Sequence, residues 1–130
     1  FRDFFYCDSG MIPWLLTTEL LSITGKTLSE LVSGYIKAYP SSGELNFRLT
    51  TNDAPTIISA IEDKFSAESP AKSMLDGLSL NFGEWRFNLR ASNTEPLIRL
   101  NIESRGDTEL LATKVAEIQQ WLATQGAIAA

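Results

Sequence analysis

At residue 44 the spacing of the apolar side chains changes period, and that change limits what the chain can fold into. Leu45, Phe47 and Leu49 alternate with Glu44, Asn46, Arg48 and Thr50, the pattern of a strand with one buried face. Just upstream, Leu28, Leu31, Val32, Tyr35 and Ile36 recur at helical spacing behind Thr27 and Glu30, which have capping-box separation. Between the two patterns lies Pro40-Ser41-Ser42-Gly43, a cluster of turn formers that marks the predicted domain boundary. An earlier helix is predicted over about 10–23, with Asp8-Ser9 as its N-cap, Pro13 in its first turn and Gly25 as its stop.

Beyond residue 50, Asn52 or Asp53 caps a helix carrying Ile57, Ile58, Ile61 and Phe65 on one face. Leu78, Leu80 and Phe82 form strand two, and Trp85, Phe87 and Leu89 strand three, joined by a Gly83-Glu84 hairpin turn. Ile98, Leu100 and Ile102 form strand four, and Gly106-Asp107 opens a last helix with Leu111, Val115, Ile118 and Leu122 inward. Alternating strands have one apolar face, and two amphipathic helices are available to cover it. The prediction is an α+β fold: a mostly antiparallel four-stranded sheet with two helices on one face, preceded by two N-terminal helices.

The chain has 130 residues, about one domain by the usual ~100–200 residues per domain. Its 44% hydrophobic content predicts a packed core. Sixteen acidic against eleven basic residues give a net charge of -5, which argues against nucleic acid as a partner. Histidine is absent and Cys7 is the single cysteine. No internal disulfide or paired-thiol zinc site is available, and a reducing cytoplasm is the expected location. Met11–Leu16, the longest apolar stretch, is far short of the ~20 residues that span a bilayer, so no membrane association is expected. The opening Phe1-Arg2-Asp3-Phe4-Phe5-Tyr6 has the character of a piece of a longer chain. Residues 1–24 hold more large apolar side chains than so short a segment can bury, which predicts self-association through residues 1–24, or mobility.

Chemistry concentrates in Arg90-Ala91-Ser92-Asn93-Thr94-Glu95-Pro96, between strands three and four. Arg90 offers a fork of donors and Ser92 and Thr94 offer hydroxyls. Asn93 offers an amide and tolerates a left-handed turn that would point successive backbone N–H groups inward. Such a set suits a phosphate monoester. Arg99, on the polar face with Asn101, adds charge, and Glu95 is expected to point away. The same residue types fill ordinary hairpin loops, with Arg90 as a solvated strand-end arginine, and composition alone leaves both readings open. Asp3 and Asp8 are expected to be a solvated charge and a helix cap, Cys7 a buried packing residue, and Phe82, Trp85 and Phe87 core.

Arg90 to Pro96, with Gly83-Glu84-Trp85-Arg86 before it, resembles the phosphate-binding loop in the C-terminal domain of the α-D-phosphohexomutases. Phe1-Arg2-Asp3-Phe4 through Asp8-Ser9-Gly10-Met11 independently resembles the segment after the sugar-binding loop in the third domain of the bacterial phosphomannomutase/phosphoglucomutase type. Asn93 stands where phosphoglucosamine mutases usually have glycine, which favours that type. The resemblance implies a four-domain enzyme working through a phosphoserine, Mg²⁺ and a hexose 1,6-bisphosphate, with a last domain that is TATA-box-binding-protein-like in fold. That domain would grip the phosphate of a phosphorylated hexose that is not being transferred, here through Arg90, Ser92, Asn93 and Thr94.

By the same resemblance, residues 1–24 are the remnant of the third domain, 25–43 a linker helix and turn, and 44–130 the phosphate-binding domain. The phosphoserine, metal-binding and sugar-binding motifs are not in the chain. It is therefore expected to bind without catalysing, and to hold no catalytic residue, metal or cofactor of its own. A phosphoglucomutase of the same family and a non-enzymatic interaction domain are the alternatives.

Overall fold

A computed structural model describes residues 1–68 and 70–130 and divides the chain into two compact units, Phe1–Tyr35 and Ile36–Ala130. In the first, helix α1 spans Met11–Thr24 and stops where Gly25 takes a φ of 63° and donates its N–H to the Leu21 carbonyl at 3.0 Å. Its start departs from expectation. Gly10 is the N-cap, with φ -67° and ψ -20°, and no side chain caps the helix. A capping side chain reaches the first-turn N–H groups from an extended cap residue. Gly10 is itself helical and has no side chain to offer, and neither Asp8 nor Ser9 supplies a cap bond among the described residues.

The Thr27 capping box forms as read: its N–H donates to Glu30 Oε2 at 2.8 Å, and the Glu30 N–H to Thr27 Oγ1 at 3.3 Å. It starts α2, Leu28–Ala38, and neither α1 nor α2 has a buried residue. Cys7, expected to pack inside, is exposed. It follows Phe5 and Tyr6, exposed and left-handed at φ 52° and 59°, in a segment that builds no core around it.

The second unit holds an antiparallel sheet of six strands rather than four. These are β1 (Leu45–Leu49), β2 (Ala71–Ser73), β3 (Leu78–Asn81), β4 (Trp85–Ala91), β5 (Leu97–Ser104) and β6 (Ala127–Ala129), in the order β2-β3-β4-β5-β1-β6. The two extra strands are three-residue edges, too short to show a period of two. The β3–β4 hairpin turns through Gly83-Glu84 as predicted, with Gly83 at φ 90° and Phe82 N–H bonded to the Trp85 carbonyl at 3.0 Å.

Helix α3, Ala54–Phe65, is capped by Asp53 Oδ1, which accepts from the Thr56 N–H at 2.9 Å. Helix α4, Thr108–Thr124, is capped by Asp107 Oδ1, which accepts from the Glu109 and Leu110 N–H groups at 3.0 and 2.8 Å. Ile57, Ile61 and Phe65 of α3 and Ile118 and Leu122 of α4 are buried in one cluster with Phe47, Leu78, Leu80, Phe87, Leu89, Ile98, Leu100 and Ile102 of the strands. Phe65 packs edge-on to Phe82 and Trp85, with centroids 5.6 and 5.9 Å away, so these aromatic rings belong to the core.

Register then decides what the other face carries. Phe87 opposes Ile102 and Leu89 opposes Leu100 on the helix side. Arg86 opposes Glu103, Asn88 opposes Asn101 and Arg90 opposes Arg99 on the polar side. Pro40–Ser42 runs beside β5: the Pro40 carbonyl accepts from the Ser104 N–H at 3.0 Å, and the Ser42 N–H donates to the Ile102 carbonyl at 2.9 Å.

Candidate functional site

Arg90 and Arg99 are direct cross-strand partners, an arrangement in which like charges repel. Glu44, just before β1 and of the same parity as polar Asn46 and Arg48, offsets that repulsion. Its Oε2 accepts from Arg90 Nη2 at 3.1 Å, and its Oε1 lies 3.5 Å from Arg99 Nη1. Arg90 is therefore ion-paired and half-buried rather than fully solvated: its side chain is 31% exposed, and that of Arg99 28%. The Arg99 Nε is buried and has no hydrogen-bond partner among the described residues. Two guanidiniums and one carboxylate leave a local excess of positive charge on a chain whose net charge is -5.

The loop beyond Arg90 is closed by backbone bonds. Ser92 N–H donates to the Leu97 carbonyl at 2.8 Å, and Leu97 N–H to the Glu95 carbonyl at 2.8 Å. The Pro96 carbonyl accepts from Leu49 N–H at 3.2 Å, tying the loop to β1. The left-handed turn expected at Asn93 is not used, since the non-glycine residues with positive φ among the described residues are Phe5 and Tyr6. The Leu97–Glu95 bond spans a single residue, Pro96, whose ring fixes φ near the value a tight turn of that kind needs. The chain reverses there instead.

Thr94 N–H donates to Ser92 Oγ at 3.4 Å. The Asn93 amide and Thr94 hydroxyl are exposed and have no hydrogen bond among the described residues. Glu95 is exposed and in no ion pair among them. The four predicted residues thus fall on one strand end and the loop it enters, with Arg99 alongside.

Two contributors escaped the sequence reading. Glu44 was legible only as a polar-face position of the strand alternation. Gly77 has a φ of 72°, and a Cβ there would lie 2.6 Å from Arg90 Cβ and 2.5 Å from the Leu89 carbonyl oxygen, so the bare backbone seats the strand that carries Arg90. Its sequence signal was the Asp76-Gly77 turn dipeptide.

The same polar face bears a hollow of about 500 Å³, lined by Ser73, Ser79, Asn81, Arg86, Asn88, Asn101 and Glu103 among others, but by none of the four predicted residues. Its charges are paired: Arg86 Nε and Nη2 both donate to Glu103 Oε2, at 2.8 and 2.6 Å, and Lys72 pairs with Glu62 outside the lining. Asp3 is a solvated charge as expected, 3.4 Å from Arg2 Nε. Among the described residues no three of His, Cys, Asp or Glu gather to hold a metal ion. No helix among them is long and apolar enough to cross a membrane.

The residues that build most of this sheet, both covering helices and the arginine-flanked loop match a known family by sequence. Residues 44–120 match the phosphoglucomutase/phosphomannomutase C-terminal domain, and the chain belongs to that family. It is 52% identical over 122 residues to a phosphomannomutase of Salmonella montevideo, covering 94% of this chain and 26% of the relative. A phosphomannomutase of Escherichia coli (strain K12) is 53% identical over 114 residues, 88% of this chain and 25% of the relative. A protein named "Phosphohexose mutases" from Xanthomonas campestris pv. campestris (strain B100) is 49% identical over 122 residues, 94% of this chain and 27% of the relative. The chain therefore spans about a quarter of the length of the curated relatives it matches.

Proposed function

We propose that this chain is the C-terminal part of a phosphomannomutase in which Arg90, Ser92, Asn93 and Thr94 hold the phosphate of a hexose phosphate that is not being transferred. The reading is carried by one observation: two cross-strand guanidiniums, on the strands that enter and leave a loop whose Asn93 amide and Thr94 hydroxyl are exposed and without a hydrogen bond among the described residues. A phosphate monoester carries nearly two negative charges and three acceptor oxygens. A guanidinium fork backed by hydroxyl and amide donors meets it with charge-assisted bonds. Relatives named phosphomannomutase favour a mannose phosphate.

Within this reading the chain binds and does not catalyse. Phosphoryl transfer, Mg²⁺ and the hexose 1,6-bisphosphate belong to the upstream domains of a cytoplasmic enzyme. Residues 1–24 are the end of the third domain, 25–43 the linker and 44–130 the phosphate-binding domain. The exposed apolar side chains of residues 1–24, Phe5, Trp14 and Leu16 among them, are what those upstream domains would cover.

Titration of the ¹⁵N-labelled chain with inorganic phosphate tests the site. Saturable shifts at Ser92, Asn93 and Thr94, lost in Arg90→Ala, are expected. A folded chain whose loop amides do not respond would return the segment to an ordinary hairpin.

A further inference from the structure

We infer that Glu44 is a displaceable counter-ion. It holds the Arg90 and Arg99 guanidiniums together while the site is empty and gives them up to a phosphate oxyanion. The inference rests on the phosphate-site reading and adds the group that competes with the ligand.

The geometry carries it. One carboxylate spans two cations, 3.1 Å from Arg90 Nη2 through one oxygen and 3.5 Å from Arg99 Nη1 through the other. That is enough to offset the repulsion of two like charges held opposite each other by the sheet. It is far from using their donors, since each guanidinium offers five N–H bonds and Arg99 Nε has no partner among the described residues. The arginine pair is thus neutralised in part and hydrogen-bonded in part, the condition of a site waiting for a larger anion.

A phosphate dianion presents more charge and more acceptor oxygens than a carboxylate and can take two parallel bonds from a fork. It cannot share the pair with Glu44 without placing like charges side by side. Glu44 is free to leave: its side chain is 38% exposed, and Glu44 directly follows the Ser41–Gly43 turn, so its charge is rehydrated at small cost. Binding is then an exchange of anions on a preassembled arginine pair, and the pair does not have to be gathered from disorder. Glu44 lowers equilibrium affinity in return for keeping the cations in place and closed to weaker anions.

The test is a titration of this chain with inorganic phosphate, following backbone amides and the Glu44 carboxyl carbon by NMR. An exposed ion pair contributes little, so Glu44→Gln is expected to bind phosphate only about threefold more tightly. In the unsubstituted chain the Glu44 carboxyl resonance is expected to move along the same saturation curve as the Ser92–Thr94 amides. A loop response with unchanged or weaker affinity in folded Glu44→Gln overturns the exchange and leaves the phosphate site standing. A loop response with a stationary Glu44 carboxyl does the same without any substitution, should the variant fail to fold. No loop response in the unsubstituted chain overturns the site and the exchange together.

Discussion

Gly77→Ala separates two costs that usually arrive together. Gly77 sits at φ 72°, where an added methyl would come within 2.5 Å of the Leu89 carbonyl oxygen, 2.6 Å of Arg90 Cβ and 2.8 Å of Arg90 Cα. A left-handed conformation costs an L-residue about 1–2 kcal/mol. The contacts add to this because their atoms are backbone of a central strand, paired on both sides in the sheet order, and cannot swing away as the end of a long side chain would. Overpacking of this kind costs about 1–3 kcal/mol more, so the sum is about 2–5 kcal/mol.

Gly83→Ala is the control. Its φ is 90°, yet a Cβ there meets nothing within 4 Å, so only the conformational cost applies. Urea unfolding of both variants gives the two terms: Gly77→Ala is expected to lose at least about 1 kcal/mol more than Gly83→Ala. Equal losses would falsify the claim that Gly77 seats the Arg90 strand. The relief Gly77→Ala demands is at Arg90, so it should also weaken phosphate binding while Gly83→Ala leaves it unchanged.

Other expectations follow from particular contacts. In the complete enzyme Arg90→Ala should lower kcat/KM by about 10- to 100-fold in both reaction directions, with Arg90→Lys a partial rescue, as steady-state kinetics will show. Phe65→Ala, which empties the site between Phe82, Trp85 and Phe87, should cost about 3–5 kcal/mol in urea unfolding.

The hydrogen bond from Lys114, 2.9 Å from Glu117 Oε2, holds the Glu117 carboxyl below the usual range, with Lys64 assisting at 3.2 Å and burial opposing. Its stabilisation is therefore present above the unfolded glutamate value near ~4.3 and lost as pH falls through the lower folded value. Glu117→Gln should flatten that part of the stability–pH curve, by about 1 kcal/mol or less for a part-buried pair that solvent still screens. Sedimentation velocity of the chain should show association that grows with concentration, driven by residues 1–24; a strictly monomeric chain would count against it.

How much of this was legible in the sequence depends on which interaction fixed each feature. Strands β1, β3, β4 and β5 were read because one buried face imposes alternation, and α3 and α4 because Asp53 and Asp107 cap them locally. The edge strands β2 and β6 were not read. Ala71-Lys72-Ser73 and Ala127-Ile128-Ala129 are held by pairing with β3 and β1, and three residues carry no period. Cys7 was misread because a buried cysteine needs a core to enter, and the first unit has none. At the site, Arg90 and the loop were legible as residue types. The turn was placed on Asn93 although Pro96 makes it, and Glu44 was missed because its partners are 46 and 55 residues away along the chain.

What brings Arg90 beside Arg99 is register, and register is set on the opposite face of the sheet. A slip of β4 by one residue against β5 would turn Phe87 and Leu89 toward solvent and Arg90 toward α3 and α4. The apolar pairs Phe87–Ile102 and Leu89–Leu100 therefore exclude odd-numbered slips, and the loop closure from Ser92 N–H to the Leu97 carbonyl fits, among the rest, the pairing that juxtaposes two cations. The cost of that juxtaposition falls on the polar face, where Glu44 and water offset it, and is outweighed on the buried face, where several large apolar side chains each contribute about 1.5–3 kcal/mol. A sheet can hold like charges together for an anion only when its other side is so committed. Substitutions in the core should accordingly reach the loop through stability, whereas those at Glu44, Arg90 and Arg99 should act on the anion with the fold intact.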